Sequence, residues 1–183
     1  MYYIFLADGF EDTEAIAPLD ILRRANIPVQ TVGVSGEYVT SARGVTVKAD
    51  VVIGSIASAD VDGVILPGGG GYKVLRADKG VQSAIDNAAR DGKLVAAICA
   101  APTILAERGL LNGKRATCFN APDLRAILEK GGAIPEYGTD AVTDGNIITS
   151  RAAGTAVQFG VALVAYIKGK AIADDTYNKF NGV

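Results

Sequence analysis

Short apolar runs alternate with stretches of helical pattern along most of this chain. The runs at residues 2–7, 63–67 and 94–98 contain no charged side chain, and intervening stretches such as 13–25 and 79–90 have the pattern of helices. A strand that is apolar throughout is buried on both faces, which requires helices above and below the sheet. The sequence therefore predicts an α/β fold, a doubly wound parallel sheet sandwiched by helices.

Two β-hairpins are expected in addition to this sheet, because turn residues at Arg43-Gly44 and Asp144-Gly145 separate short strand-like segments. Residues 115–119 are predicted as a further strand, and the polar tail after Lys168 as weakly specified. No linker or repeat divides the 183 residues, so one domain spanning residues 1–183 is predicted.

The charge balance and the residue counts exclude several classes of function. The formal net charge is −2 and no Lys/Arg run occurs, so a nucleic-acid partner is not expected. No apolar stretch is long enough to predict a membrane span. Two cysteines make no disulfide framework, which favours a reducing cytoplasm. The complete absence of histidine removes Ser-His-Asp triads, Cys-His dyads and most zinc catalysis, and neither a metal nor another cofactor is expected.

Cys99 is the leading candidate for chemistry. It lies where the apolar run at residues 94–98 meets the start of a predicted helix at residues 100–108. A thiol at a strand-to-helix corner is near the positive end of a helix dipole, which favours the reactive thiolate. Such corners are also tight turns that raise one side chain above the sheet edge. A small buried side chain without chemistry is the alternative interpretation.

Two other loops reach the same sheet edge, since the carboxyl ends of parallel strands meet there. The loop after the first strand carries Glu11, Asp12 and Glu14, and acidic residues at a helix start often only cap the helix. Glu14 lies further into the helix and could instead point toward Cys99. There, a partly desolvated carboxyl next to a thiolate has a raised pKa and can donate a hydrogen bond or carry a proton.

The second loop is the glycine run Gly68–Gly71. It lacks the lysine of a phosphate-binding loop and matches no dinucleotide motif. Its backbone N–H groups, together with that of Ala100 at the helix start, could face an oxyanion formed near Cys99. A tight turn that requires glycine is the alternative, and the two interpretations are compatible.

Three further residues are ambiguous from their positions. Cys118, in a predicted strand, is typical of a small core residue. Arg43 at a hairpin tip is typical of a solvated turn residue. Arg151, at the end of the last strand, could form a buried ion pair or contact a substrate anion.

Five segments then resemble one known family, and they occur in its order. They are ADGFEDTE (7–14), APLDILRR (17–24), VILPGG (64–69), VAAICAAP (95–102) and ITSR (148–151) followed by Gly154-Thr155. With them the chain resembles the ThiJ/PfpI superfamily (class I glutamine amidotransferase-like), and most closely its DJ-1 branch, the branch of the Parkinson-disease-associated protein. The resemblance implies a flavodoxin-like fold and a homodimer.

The resemblance also implies roles for individual residues. Cys99 would be the nucleophile at the elbow and Glu14 the protonated carboxyl beside it. Gly69, following Gly68, and Ala100 would supply oxyanion N–H groups. Arg43 would approach the site across the dimer, and Arg24 and Arg151 match arginines near the site.

Two departures from the family pattern involve histidine. Peptidase-like members carry a histidine directly after the cysteine, where this chain has Ala100. The DJ-1 branch usually keeps a histidine near the site, at the position that Phe119 occupies here. A group that could move protons or bind substrate is therefore missing, and peptidase activity is not expected.

These observations support two functions of different kinds. The first is a cysteine-dependent, cofactor-free glyoxalase III or deglycase that converts 2-oxoaldehydes, such as methylglyoxal to lactate, through a hemithioacetal on Cys99 assisted by Glu14. The second is an oxidative-stress sensor or redox-regulated chaperone that acts through oxidation of Cys99.

Overall fold

A seven-stranded sheet forms the centre of the protein. The computed structural model describes residues 1–56 and 61–183. The strands of the sheet are β1 (Tyr2–Leu6), β2 (Val29–Gly33), β5 (Val51–Val52), β6 (Gly63–Leu66), β7 (Leu94–Ile98), β10 (Ala141–Asp144) and β11 (Ile147–Ser150). Their order across the sheet is β10-β11-β7-β6-β1-β2-β5. All neighbouring pairs are parallel except β10 with β11. The predicted doubly wound parallel sheet is confirmed.

Helices cover both faces of the sheet. They are α1 (Asp12–Arg24), α2 (Tyr72–Ala77), α3 (Lys79–Arg90), α4 (Pro102–Glu107), α5 (Pro122–Lys130), α6 (Ala156–Lys168) and α7 (Lys170–Asn181). Ile85 and Leu105, from α3 and α4, pack in the core on one face, and Leu22 and Phe159, from α1 and α6, pack in the core on the other. Strands β6 and β7 are buried at every position, as fully apolar strands between two helical layers must be.

Both predicted hairpins form, one outside the main sheet and one at its edge. Strands β3 (Tyr38–Thr40) and β4 (Thr46–Lys48) make a separate two-stranded sheet. The Gly9 N–H donates to the Thr40 carbonyl at 2.8 Å, which holds this hairpin over the loop after β1. The second hairpin is β10–β11, and it forms the antiparallel edge of the main sheet.

Two sequence predictions were wrong. The strand predicted at residues 115–119 is limited to β8 (Arg115–Ala116), which pairs with β9 (Ile134–Pro135), because the chain then turns to bond the backbone at Cys99. The tail after Lys168 is helix α7, in which Ala173 and Thr176 are buried. Gly169, at φ +86°, reverses the chain so that α7 packs against α6.

No helix among the described residues has the length and hydropathy needed to cross a membrane.

Candidate active site

Cys99 occupies a strained corner at the end of β7. Its φ of +66° lies in the left-handed region, which is uncommon for a residue other than glycine. Two hydrogen bonds hold the backbone there: the Cys99 N–H donates to the Ser150 carbonyl at 3.0 Å, and the Phe119 N–H donates to the Cys99 carbonyl at 2.8 Å. The side chain is partly exposed. The structure thus gives Cys99 the tight-turn geometry of a nucleophile elbow.

The carboxyl group of Glu14 lies beside this thiol. Glu14 belongs to the first turn of α1, its side chain is 1% exposed, and it forms a hydrogen bond with the Cys99 side chain. The Gly68 N–H donates to Glu14 Oε2 at 2.8 Å. Buried carboxyl groups need such partners, because desolvation disfavours their charge. Glu14 therefore does not act as a solvent-exposed cap of α1, and the structure brings it to Cys99.

Gly68 allows the acid and the thiol to approach each other. A Cβ at this position would lie 2.6 Å from the Cys99 Cβ, 2.7 Å from Glu14 Oε2 and 3.0 Å from the Cys99 Sγ. No side chain fits there without displacing one of the two groups. The glycine loop therefore has a steric role at the centre of the site.

The backbone N–H groups of Gly69 and Ala100 face the sulfur, where both favour the thiolate. Gly69 has a φ of +70°, and a Cβ on it would lie 2.4 Å from the Glu11 nitrogen. Only glycine fits this close approach of two loops. The two predicted N–H donors thus lie next to the sulfur, within reach of a group bound to it, and their role toward an oxyanion stays a prediction.

Burial raises the pKa of Glu14 from 4.5 to about 7. This value is the net result: the nearby charge of Glu11 also acts to raise the pKa, while hydrogen bonds from the Cys99 thiol and from the N–H groups of Gly68 and Ala153 act to lower it. A carboxyl group with this pKa is present in both protonation states near neutral pH. Such a group suits general acid–base catalysis.

The helix-start argument predicts a lowered pKa for Cys99, and the structure shows the opposite. Burial, the negative charge of Glu14 and the hydrogen bond to Glu14 raise the pKa of the thiol to about 12, against the lowering effect of Gly69 and Ala100. Two of the three raising contributions require an ionised Glu14. The two groups therefore titrate as a pair, and the thiolate is favoured when Glu14 keeps the proton. We call Glu14 and Cys99 the reactive pair.

The three candidate arginines have different surroundings. Arg43 is exposed at the hairpin tip, 4.0 Å from a Glu11 carboxylate oxygen. Arg151 forms an ion pair with Asp140 at the end of β11. Neither is shown in contact with the reactive pair in this single chain. The approach of Arg43 across a dimer stays a prediction.

Arg24 is not near the reactive pair in this chain. It lies at the last residue of α1, ten residues after Glu14, or roughly 15 Å along the helix axis. Its guanidinium pairs with Asp20 at 2.9 Å and lies over the Phe180 ring at 5.5 Å. The Arg24 guanidinium therefore contacts α1 itself and helix α7, which the sequence analysis did not predict.

The neighbouring residues Phe119 and Cys118 lie in different environments. Phe119 is next to the site through its N–H bond to Cys99, and its side chain is 43% exposed. Cys118 is fully buried, and burial raises its pKa to about 11. Cys118 thus has the environment of a core residue rather than that of a second reactive thiol.

Sequence reasoning placed Arg151 at the end of β11 but assigned no role in the site to Ser150 or to the turn that follows Arg151. The turn Ala153–Thr155 brings the Ala153 N–H to Glu14, and Ser150 accepts the Cys99 N–H. The available signal was topological: β11 is parallel to β7, so the loop after it reaches the same sheet edge.

No group of three or more acidic or cysteine side chains within residues 1–56 and 61–183 is arranged to hold a metal ion.

Comparison with known proteins places this arrangement in a family context. Residues 2–166 match the model of the DJ-1/PfpI family. Protein dj-1beta of Drosophila melanogaster is 38% identical over 169 residues, which cover 91% of this chain and 89% of that protein. The crystal structure of Drosophila melanogaster DJ-1beta superposes on this chain with a TM-score of 0.90 and 35% sequence identity. The match covers 98% of this chain and 96% of the DJ-1beta chain.

Two further relatives carry names that state an activity. Deglycase TK1284 of Thermococcus kodakarensis is 31% identical over 151 residues, covering 82% of this chain and 89% of that protein. Glutathione-independent glyoxalase DJR-1.2 of Caenorhabditis elegans is 31% identical over 160 residues, covering 87% of this chain and 83% of its own.

Proposed function

The chain belongs to the DJ-1/PfpI family, and on that premise we propose that it is a glyoxalase- or deglycase-type enzyme that acts on 2-oxoaldehydes without a cofactor. The observation that carries the proposal is the buried Glu14 carboxyl, with a pKa raised to about 7, hydrogen-bonded to Cys99 at a strained corner. The named activities of the deglycase and the glyoxalase relatives support the same class of reaction.

In the first step, the Cys99 thiolate adds to the aldehyde carbon of methylglyoxal. A carbon–sulfur bond forms and the electron pair of the C=O bond moves to oxygen. The N–H groups of Gly69 and Ala100 stabilise this oxyanion, because they already face the sulfur. Glu14 then donates its proton to the oxyanion, which gives a neutral hemithioacetal.

In the second step, the Glu14 carboxylate removes the hydrogen on the former aldehyde carbon and returns a proton to the neighbouring carbon. The electron pair passes through an enediol, so the first carbon becomes a thioester and the second a hydroxyl-bearing carbon. Water cleaves the thioester to lactate and restores the thiol. Overall, one methylglyoxal and one water give one lactate. Deglycation of early adducts would begin with the same attack by Cys99.

The absence of histidine from the sequence distinguishes this mechanism from peptide hydrolysis. No imidazole can activate the thiol or protonate a leaving amine, and the exposed Phe119 side chain offers no titratable group. Glu14 is left to serve as both acid and base. An aldehyde suits this site because it needs no protonated leaving group.

The purified protein is expected to convert methylglyoxal to lactate. Cys99→Ser should lower the rate at least about 100-fold, since the thiol is the nucleophile of the first step. Cys118→Ala is the matched control, because it removes the other cysteine from the core and should retain turnover. Lactate release is followed with an enzyme-coupled assay. Absence of lactate, or equal rates for the wild type and Cys99→Ser, would refute the proposed activity.

Oxidation of Cys99 is a second candidate function, which the donors around the sulfur favour. The N–H groups of Gly69 and Ala100 and a protonated Glu14 could hold the two oxygens of a sulfinate. Two molecules of hydrogen peroxide would convert the thiolate to the sulfinate and leave two of water. We expect mass spectrometry after mild peroxide treatment to show two added oxygens on Cys99. If Cys99 remains a thiol that can be alkylated and this product is absent, the redox function is refuted.

A further inference from the structure

A chain of buried hydroxyl groups connects the two segments that hold the reactive pair. Ser150 and Thr155 are both buried, and their hydroxyl oxygens are 2.8 Å apart. The Ser150 hydroxyl donates its proton to the Asp140 carbonyl at 2.6 Å, so Ser150 can only accept a hydrogen bond from Thr155. The Ala152 N–H donates to the Thr155 hydroxyl at 3.1 Å. This leaves the Thr155 proton free to be donated to Ser150 or to the Ala152 carbonyl.

Each end of this hydroxyl chain is next to one member of the reactive pair. The Ser150 carbonyl accepts the Cys99 N–H at 3.0 Å, which helps to fix the left-handed corner. Thr155 closes the turn Ala153–Thr155, whose first residue directs its N–H to the Glu14 carboxyl. The same two hydroxyl groups therefore fix a backbone acceptor for Cys99 and a backbone donor for Glu14.

We propose that Ser150 and Thr155 are positioning residues that set the proton distribution between Glu14 and Cys99. Neither hydroxyl is placed in contact with substrate. Thr155 holds the Ala153 N–H against the Glu14 carboxyl, where it stabilises the ionised form, while Ser150 ties this turn to the strand that anchors Cys99. The inference deepens the proposed function, on which it rests for its catalytic consequence.

The other groups that act on Glu14 lie outside the turn Ala153–Thr155. The titratable groups that act on Glu14 are Cys99 and Glu11, and the other backbone donor is Gly68. The nearby Arg151 side chain is engaged with Asp140. A change in the turn Ala153–Thr155 would therefore alter one donor to the carboxyl and leave the surrounding charges in place.

The test is the pH dependence of Cys99 alkylation by iodoacetamide in the full chain. Thr155→Val keeps the shape of the side chain but removes the acceptor of the Ala152 N–H, so the turn relaxes and the carboxylate loses a donor. We expect the midpoint of the profile to fall by up to about one pH unit, because a carboxyl that loses one backbone hydrogen bond keeps its proton to higher pH, and a protonated Glu14 no longer raises the pKa of the thiol by its charge. Thr155→Ser restores the hydroxyl and should restore the wild-type midpoint.

Thr176→Val is the control for a purely structural effect, because Thr176 is buried in α7. It should leave the midpoint unchanged even if it lowers thermal stability. If Thr155→Val does not fold, Ser150→Ala removes the other hydroxyl and should shift the midpoint in the same direction. An unchanged midpoint in the folded variant, or an equal shift in Thr176→Val, overturns the proposal. Since alkylation uses no aldehyde, its outcome is separate from that of the lactate assay.

Discussion

Replacement of Glu14 by glutamine is expected to abolish turnover while making Cys99 more reactive toward alkylation. Glutamine is nearly isosteric, and its carbonyl can still accept the Gly68 N–H, but it can neither donate an acidic proton nor remove one from carbon. Loss of a general acid–base group typically costs about 100-fold or more, so lactate formation should fall by at least that factor.

The reactivity of Cys99 should change in the opposite direction. The ionised Glu14 raises the pKa of the thiol by its charge and by its hydrogen bond, and the neutral amide removes the charge. Each unit by which the pKa falls gives about tenfold more thiolate at neutral pH. Alkylation by iodoacetamide at pH 7 should therefore be faster in Glu14→Gln than in the wild type.

These opposite changes distinguish a lost proton carrier from a damaged fold, which would impair both reactions or expose the thiol indiscriminately. Glu37→Gln is the matched control, since Glu37 is an exposed carboxylate paired with Lys48 at 3.1 Å. It should behave as the wild type in both assays. Turnover by Glu14→Gln within a few-fold of the wild-type rate would refute the assigned role of Glu14.

Gly68→Ala should inactivate the enzyme by steric displacement of the reactive pair. The new methyl group would lie 2.6 Å from the Cys99 Cβ and 2.7 Å from Glu14 Oε2, and the first of these atoms cannot rotate away. Overpacking of this kind typically costs about 1–3 kcal/mol of stability. We expect turnover to fall at least about 100-fold, with a lower Tm by calorimetry.

Gly70→Ala provides a control two residues away in the same loop. A Cβ on Gly70 would meet only the Gly9 carbonyl oxygen, at 3.9 Å, and Gly70 is exposed. Its turnover should stay within about twofold of the wild type, because exposed substitutions without steric conflict have small effects. Equal activity of the two alanine variants would show that close approach at Gly68 is not required.

More of the fold than of the candidate site could be predicted from the sequence. Apolar strands and the loops that follow them determined the parallel sheet and brought Glu14, Gly68 and Cys99 to one edge. Helix α7 was missed because its buried positions, Ala173 and Thr176, are small or polar and give little periodic signal. Its burial becomes evident only when α6 is in place.

The chemistry of Cys99 depends on burial, which no local pattern specifies. The helix-start argument considers one dipole and predicts a lowered pKa, whereas burial and the adjacent carboxyl dominate and raise it. In the same way, Arg24 belongs to a recognisable motif, but its position depends on the length of α1. The roles proposed for Ser150 and Thr155 rest on a contact between their hydroxyl groups, which the sequence spacing does not encode.

The most direct test of this account is the ionisation of Glu14, measured by infrared difference spectroscopy of wild-type protein against Glu14→Gln across pH. We expect a carbonyl band of a protonated buried carboxyl that disappears with a midpoint at about pH 7 and is absent from Glu14→Gln. Loss of the band near pH 4.5, the ordinary value for the side chain, would contradict it. Glu14 would then be ionised at neutral pH and could not provide the proton that the proposed mechanism requires.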